Sequence, residues 1–82
     1  MLKVRFFASL KDLVGESEME VQLEKETSVR KIFQQLETRF PEIKKYESLL
    51  LVAVNMEYAD LDSTVTPGDE VCFFPPVSGG TG

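Results

Sequence analysis

A chain of 82 residues, 43% of them apolar, makes one folded domain, close to the size at which a single core is only just sufficient. Nine basic against fourteen acidic residues leave a net charge of −5, which argues against a nucleic-acid partner, because phosphate neutralisation needs a basic face. With no histidine and one cysteine, the chain cannot assemble a Ser-His or Cys-His nucleophile, the usual zinc ligand sets or an internal disulfide.

Residues 2–8 alternate as a strand, with Leu2, Val4, Phe6 and Ala8 on one face and Lys3, Arg5 and Phe7 on the other. Ser9 is placed to cap a short helical turn through Leu13, closed by Gly15. Glu18–Leu23 reads as a second strand in which Met19, Val21 and Leu23 share a face, followed by a polar loop of Glu24, Lys25 and Glu26. The spacing of Val29, Ile32, Phe33, Leu36 and Phe40 predicts an amphipathic helix over 29–39, capped by Ser28 or Thr27 and stopped by Pro41. Residues 42–48 form a solvated connection with a single helical turn at most.

Leu49–Val54 is apolar on both faces, as a central or partner-covered strand would be. Asn55-Met56-Glu57 is a turn, and Tyr58-Ala59 a stub of edge strand. Thr66-Pro67-Gly68-Asp69 is a tight turn, because proline presets one position and glycine supplies positive φ. Glu70–Phe74 is the last strand. Two N-terminal strands, one long helix and further strands are most economically packed as an α+β fold of the β-grasp (ubiquitin-like) type, a mixed sheet of four to five strands on one long helix. Cys72, mid-strand between apolar neighbours, reads as a small inert hydrophobe.

The chemistry concentrates at the C-terminus. Pro75-Pro76 lock φ and remove two backbone donors, so strand pairing stops there. Val77-Ser78-Gly79-Gly80-Thr81-Gly82 follows, with three glycines among the last four residues. A tail without Cβ atoms passes through a narrow slot, and Val77 to Gly80 extend ~13 Å. The domain is therefore residues 1–76, and 77–82 a flexible glycine tail. No apolar run approaches the ~20 residues of a membrane span, and charges interrupt the N-terminal apolar segment, so neither a membrane nor a secretory signal is expected. A lone cysteine fits a reducing cytoplasm.

Leu2-Lys3-Val4-Arg5-Phe6-Phe7-Ala8, Val52-Ala53-Val54-Asn55, Pro67-Gly68-Asp69-Glu70-Val71 and Phe73-Phe74-Pro75-Pro76-Val77-Ser78-Gly79-Gly80 together resemble the small subunits of molybdopterin synthase, sulfur carriers of the MoaD/ThiS ubiquitin-like family. The resemblance covers residues 2–80, and its FFPPVxGG end is the specific part. It implies that the chain is non-catalytic alone and that its C-terminal glycine carboxylate is the reactive group. A ubiquitin-activating-like adenylyltransferase joins that carboxylate to AMP from ATP, and sulfur from a persulfide donor displaces AMP to leave a thiocarboxylate. The large synthase subunit receives the tail, and the sulfur passes to cyclic pyranopterin monophosphate. No cofactor or metal is held by such a carrier; ATP is used by the activating enzyme.

On this resemblance Gly80 carries the adenylate and then the sulfur, with Pro75, Pro76, Val77, Ser78 and Gly79 forming the segment that enters the partner's channel. Thr81-Gly82 depart from the family pattern, which ends at the diglycine. Either a peptidase removes them and exposes Gly80, or the Gly82 carboxylate is used directly, or the chain is an inactive paralogue. The alternation places Phe7 and Phe74 away from the core, where with Leu51 or Ala53 they form an exposed apolar patch for the large subunit. Sulfur delivery to thiamine or to tRNA thiolation, and protein modification through the same activated carboxylate, are the competing functions.

Overall fold

A computed structural model describes residues 1–76. Ten short elements follow one another: β1 (Leu2–Phe6), α1 (Ala8–Val14), β2 (Glu18–Val21), β3 (Thr27–Ser28), α2 (Val29–Arg39), a 3-10 helix (Pro41–Tyr46), β4 (Leu51–Val54), β5 (Glu57–Ala59), β6 (Thr64–Val65) and β7 (Glu70–Phe74). The main sheet is five-stranded in the order β2-β1-β7-β4-β5, with β1 and β7 parallel and the other neighbours antiparallel. A second sheet, of two strands, pairs β3 with β6. The mixed sheet grasping one long helix is the expected β-grasp.

Helix α2 forms where its apolar stripe requires it. Val29, Ile32, Phe33 and Leu36 are all buried, and the Ser28 hydroxyl accepts from the Lys31 backbone N–H, satisfying one of the unpaired first-turn donors. Phe33 meets Phe73 of β7 edge-on, with ring centroids 5.4 Å apart, and Phe6 stacks beside Phe73 at 6.5 Å. Leu2, Val4 and Val71 complete this side of the sheet with no exposed surface.

Several expectations need correction. Ala8 is not a core strand residue: it is exposed, has φ 52°, and starts α1, whose first turn hydrogen-bonds back to the Phe7 carbonyl. A left-handed residue turns the chain out of the sheet, so the alternation ends one residue earlier than the pattern implies. Ser9 lies inside α1, whose N-cap is Phe7 with no side-chain bond, although Gly15 does close the helix in the left-handed conformation. The 42–48 connection is largely a 3-10 helix, and its Ile43 is fully buried in the core. The third strand starts at Leu51 rather than Leu49.

The β3–β6 pair, absent from the expected order, ties the start of α2 to the loop before β7. Arg30 reinforces that join by donating to the Asp62 carboxylate through Nε and Nη2, at 3.3 and 3.1 Å.

Candidate functional site

Alternation along β7 sends Val71 and Phe73 under α2 and turns Cys72 and Phe74 to the opposite face, which no helix among the described residues covers. Register extends this face across all five strands. Glu18, Arg5, Cys72, Ala53 and Tyr58 form one row, from edge to edge. Leu51 lies opposite Phe74 in the next row, and Phe7 stacks on Phe74 with centroids 4.6 Å apart and planes 16° from parallel. Toward the other end, Lys3 is flanked by Glu20 and Glu70. The open face is thus charged on β2, β1 and the start of β7, and apolar on the rest of β7, β4 and β5.

A shallow cavity of about 320 Å³ marks the junction, lined by Arg5, Phe7, Cys72, Phe74, Met56 and Tyr58 among others. The expected pair, Phe7 and Phe74, is therefore brought together, each half-buried against the other. Both Leu51 and Ala53 belong to this face, Leu51 with 58% of its surface exposed.

Met56 and Tyr58, left without a role by the sequence pattern, are the most exposed large apolar residues here, at 86% and 84%. The turn explains their position. Asn55 and Met56 have φ 51° and 72°, the two-residue mirror-image turn whose twist suits a β-hairpin, and it sets Tyr58 directly opposite Ala53. Glycine usually fills the second position of such a turn, so a methionine there is held at a conformational cost.

The charged groups at the junction are loosely connected. The Arg5 guanidinium lies 5.7 Å from the Phe7 ring centre, Nη1 is 3.7 Å from a Glu70 oxygen, and Nε is 4.0 Å from a Glu18 oxygen. Burial, and then the negative charge of Glu70, push the Cys72 thiol above its ordinary range, with Arg5 opposing. Little thiolate forms at neutral pH, which suits Cys72 to packing rather than to nucleophilic attack.

The root of the tail adjoins the same patch. Phe74 is the last paired residue of β7, Pro75 is buried, and Pro76 is exposed. The start of β7 is fixed as well: Asp69 accepts from the Asn55 side chain at 3.0 Å and from the Thr66 backbone N–H at 2.8 Å, while Asn55 Oδ1 accepts from the Glu70 N–H at 3.0 Å. The bonds that Asp69 accepts hold its carboxyl below the usual carboxylate range, the one from Asn55 contributing most. Val77, Ser78, Gly79, Gly80 and Gly82, which carry the expected tail chemistry, lie outside the described residues. Among the described residues no three His, Cys, Asp or Glu side chains are grouped to hold a metal ion, and no helix is long and apolar enough to cross a membrane.

Comparison with known proteins joins this geometry to a family. The "Molybdopterin synthase sulfur carrier subunit" of Escherichia coli strain K12 is 39% identical over 82 aligned residues, covering 98% of this chain and all of the relative. A structure described as putative molybdopterin converting factor, subunit 1, from Pyrococcus furiosus superposes with TM-score 0.78 at 32% identity, covering 93% of this chain and 97% of that one. SAMP1 from Haloferax volcanii superposes with TM-score 0.83 at 26% identity, covering 96% and 98% of the two chains. The ThiS family matches residues 4–80, from the first strand through the diglycine, and the chain belongs to that family.

Proposed function

We propose that this protein is the sulfur carrier of molybdopterin synthesis, the small subunit of the synthase, and that its open sheet face docks the large subunit while its tail delivers sulfur. The observation that carries this reading is the end-to-end likeness to a relative named for that role, with a tail root set beside a half-buried aromatic pair. The likeness to the Pyrococcus protein supports the same role.

The chemistry resides in the tail. The Gly80 carboxylate attacks the α-phosphorus of ATP in the activating enzyme, releasing pyrophosphate and forming an acyl adenylate. The terminal sulfur of a persulfide attacks the acyl carbon and AMP leaves, so a carbon–sulfur bond replaces the carbon–oxygen bond to phosphate. A second thiol then attacks the donor-side sulfur of the resulting acyl disulfide, forming a disulfide with the donor and releasing the thiocarboxylate. The thiocarboxylate then transfers its sulfur to cyclic pyranopterin monophosphate in the large subunit. Glycine at positions 79 and 80 lets the reacting carbonyl reach an enclosed site, and Pro75-Pro76 limit the conformational entropy lost on docking. The family match ends at Gly80, which favours removal of Thr81-Gly82 before activation.

Incubation with the adenylyltransferase, ATP, a persulfide donor and a thiol reductant, followed by mass spectrometry, tests the loading step. The expected product ends at Gly80 with one oxygen replaced by sulfur. Sulfur on a chain still ending in Thr81-Gly82 rejects trimming but keeps the carrier role. Attachment to lysine side chains in place of a thiocarboxylate identifies a protein modifier.

A further inference from the structure

Arg5 stands where the charged and apolar halves of the open face meet, and its hydrogen-bonding capacity is unfilled. Its Nε is screened from solvent, and no acceptor within the described residues bonds to it. Both carboxylates near it, Glu70 at 3.7 Å and Glu18 at 4.0 Å, are beyond good hydrogen-bond range. A partner that covers Phe7 and Phe74 also takes water from this guanidinium, which packs 5.7 Å from the Phe7 ring centre. Desolvating an arginine without giving it acceptors is costly, whereas its planar fork matches a carboxylate.

The two present neighbours are not equivalent. The Glu70 side chain is 27% exposed, on a central strand. The Glu18 side chain is 52% exposed, at the start of an edge strand, and its place beside Nε is the one open to exchange.

We propose that Arg5 is the specificity-determining residue of the docking face: it takes a carboxylate of the large subunit in exchange for Glu18, with Glu70 keeping the guanidinium in position. This inference rests on the docking-face reading above. It assigns Arg5 a positive role and Glu18 a competing one, so the two substitutions have opposite effects.

Calorimetric titration of the large subunit with the full chain tests it, using Arg5→Gln, Arg5→Lys, Glu18→Gln and Phe74→Ala. Arg5→Gln is expected to weaken binding by roughly 10- to 100-fold, the range for hydrogen bonds to charged groups. The gap from the parent chain should narrow as salt is raised. Arg5→Lys, which keeps the charge but not the fork, falls between the two. Glu18→Gln binds more tightly than the parent. Parent-like affinity of Arg5→Gln, in a variant whose thermal unfolding matches the parent, overturns the proposal. So does weaker binding of Glu18→Gln, which means that the partner reads Glu18 with a cation. Should Arg5→Gln fail to fold, Arg5→Lys and Glu18→Gln decide between the same outcomes. Phe74→Ala separates the two levels: if it binds normally, the face itself is misassigned; if it alone is weak, the face stands and Arg5 has no part in selection.

Discussion

Phe73 and Phe74 are adjacent aromatics on one strand, yet they occupy opposite environments. Phe73 has no exposed surface and is clasped between Phe6 and Phe33, whereas Phe74 is half-buried and stacks on Phe7. The first belongs to the face that the long helix covers and holds the fold together. The second belongs to a face that nothing among the described residues covers, where apolar side chains stabilise little until a partner arrives. Stability and recognition are thus separated by the two-residue period of a strand, and substitutions on the two faces should divide accordingly.

The largest effect is expected from Phe73→Ala. Emptying a fully buried aromatic site should cost about 3–5 kcal/mol in chemical denaturation, a large share of what a domain this small possesses. Phe74→Ala reverses the balance. Its loss of stability is limited to about 1 kcal/mol from the Phe7 stack, while affinity for the large subunit falls by about 2 kcal/mol or more in a titration. A Phe74→Ala chain that unfolds as easily as Phe73→Ala would break the distinction between the faces.

Met56→Gly sharpens the same comparison by sign. Relief of the left-handed methionine should leave stability unchanged or raise it by about 1 kcal/mol, while binding weakens. Destabilisation would show that Met56 serves the fold instead.

Asp69→Ala should cost about 1 kcal/mol by loosening the turn that aligns β7. The Asp69 carboxyl is held low in the folded chain, so its stabilisation is complete above the ordinary carboxylate pKa of about 4 and disappears as pH falls through the lowered folded value. Acid unfolding of Asp69→Asn should therefore lack that part of the pH dependence. The smallest effect concerns Cys72: its thiol should alkylate more slowly than free cysteine at neutral pH, and reach the free rate only in denaturant.

Much of this arrangement was legible in the residues alone. The helix stripe from Val29 to Leu36, with Pro41 beyond it, specified the bounds of α2 and left its cap to Ser28 or Thr27, of which Ser28 makes the bond. The Pro67-Gly68 turn located β7, and alternation then divided Val71 and Phe73 from Cys72 and Phe74. What escaped depends on partners distant in sequence or on rare backbone states. Nothing in Phe7-Ala8 announces a left-handed alanine, because the usual glycine signal is missing. Strands of two residues, such as β3 and β6, exist only because they find each other across the fold. Tyr58 gained its place from register with Ala53, which no local pattern states. The prolines and glycines marked the tail as a segment able to thread a narrow slot, but the sulfur chemistry proposed for it rests on likeness to a family.

On the proposed function, the tail delivers sulfur when the open face is engaged. The most direct measurement starts from the thiocarboxylated chain, adds the large subunit and cyclic pyranopterin monophosphate, and follows the intact mass of the chain. The terminal sulfur is expected to be replaced by oxygen in step with formation of the dithiolene product, and Phe74→Ala is expected to slow the exchange. A chain that keeps its sulfur in the presence of both, or that loses it equally fast without the large subunit, would contradict the account.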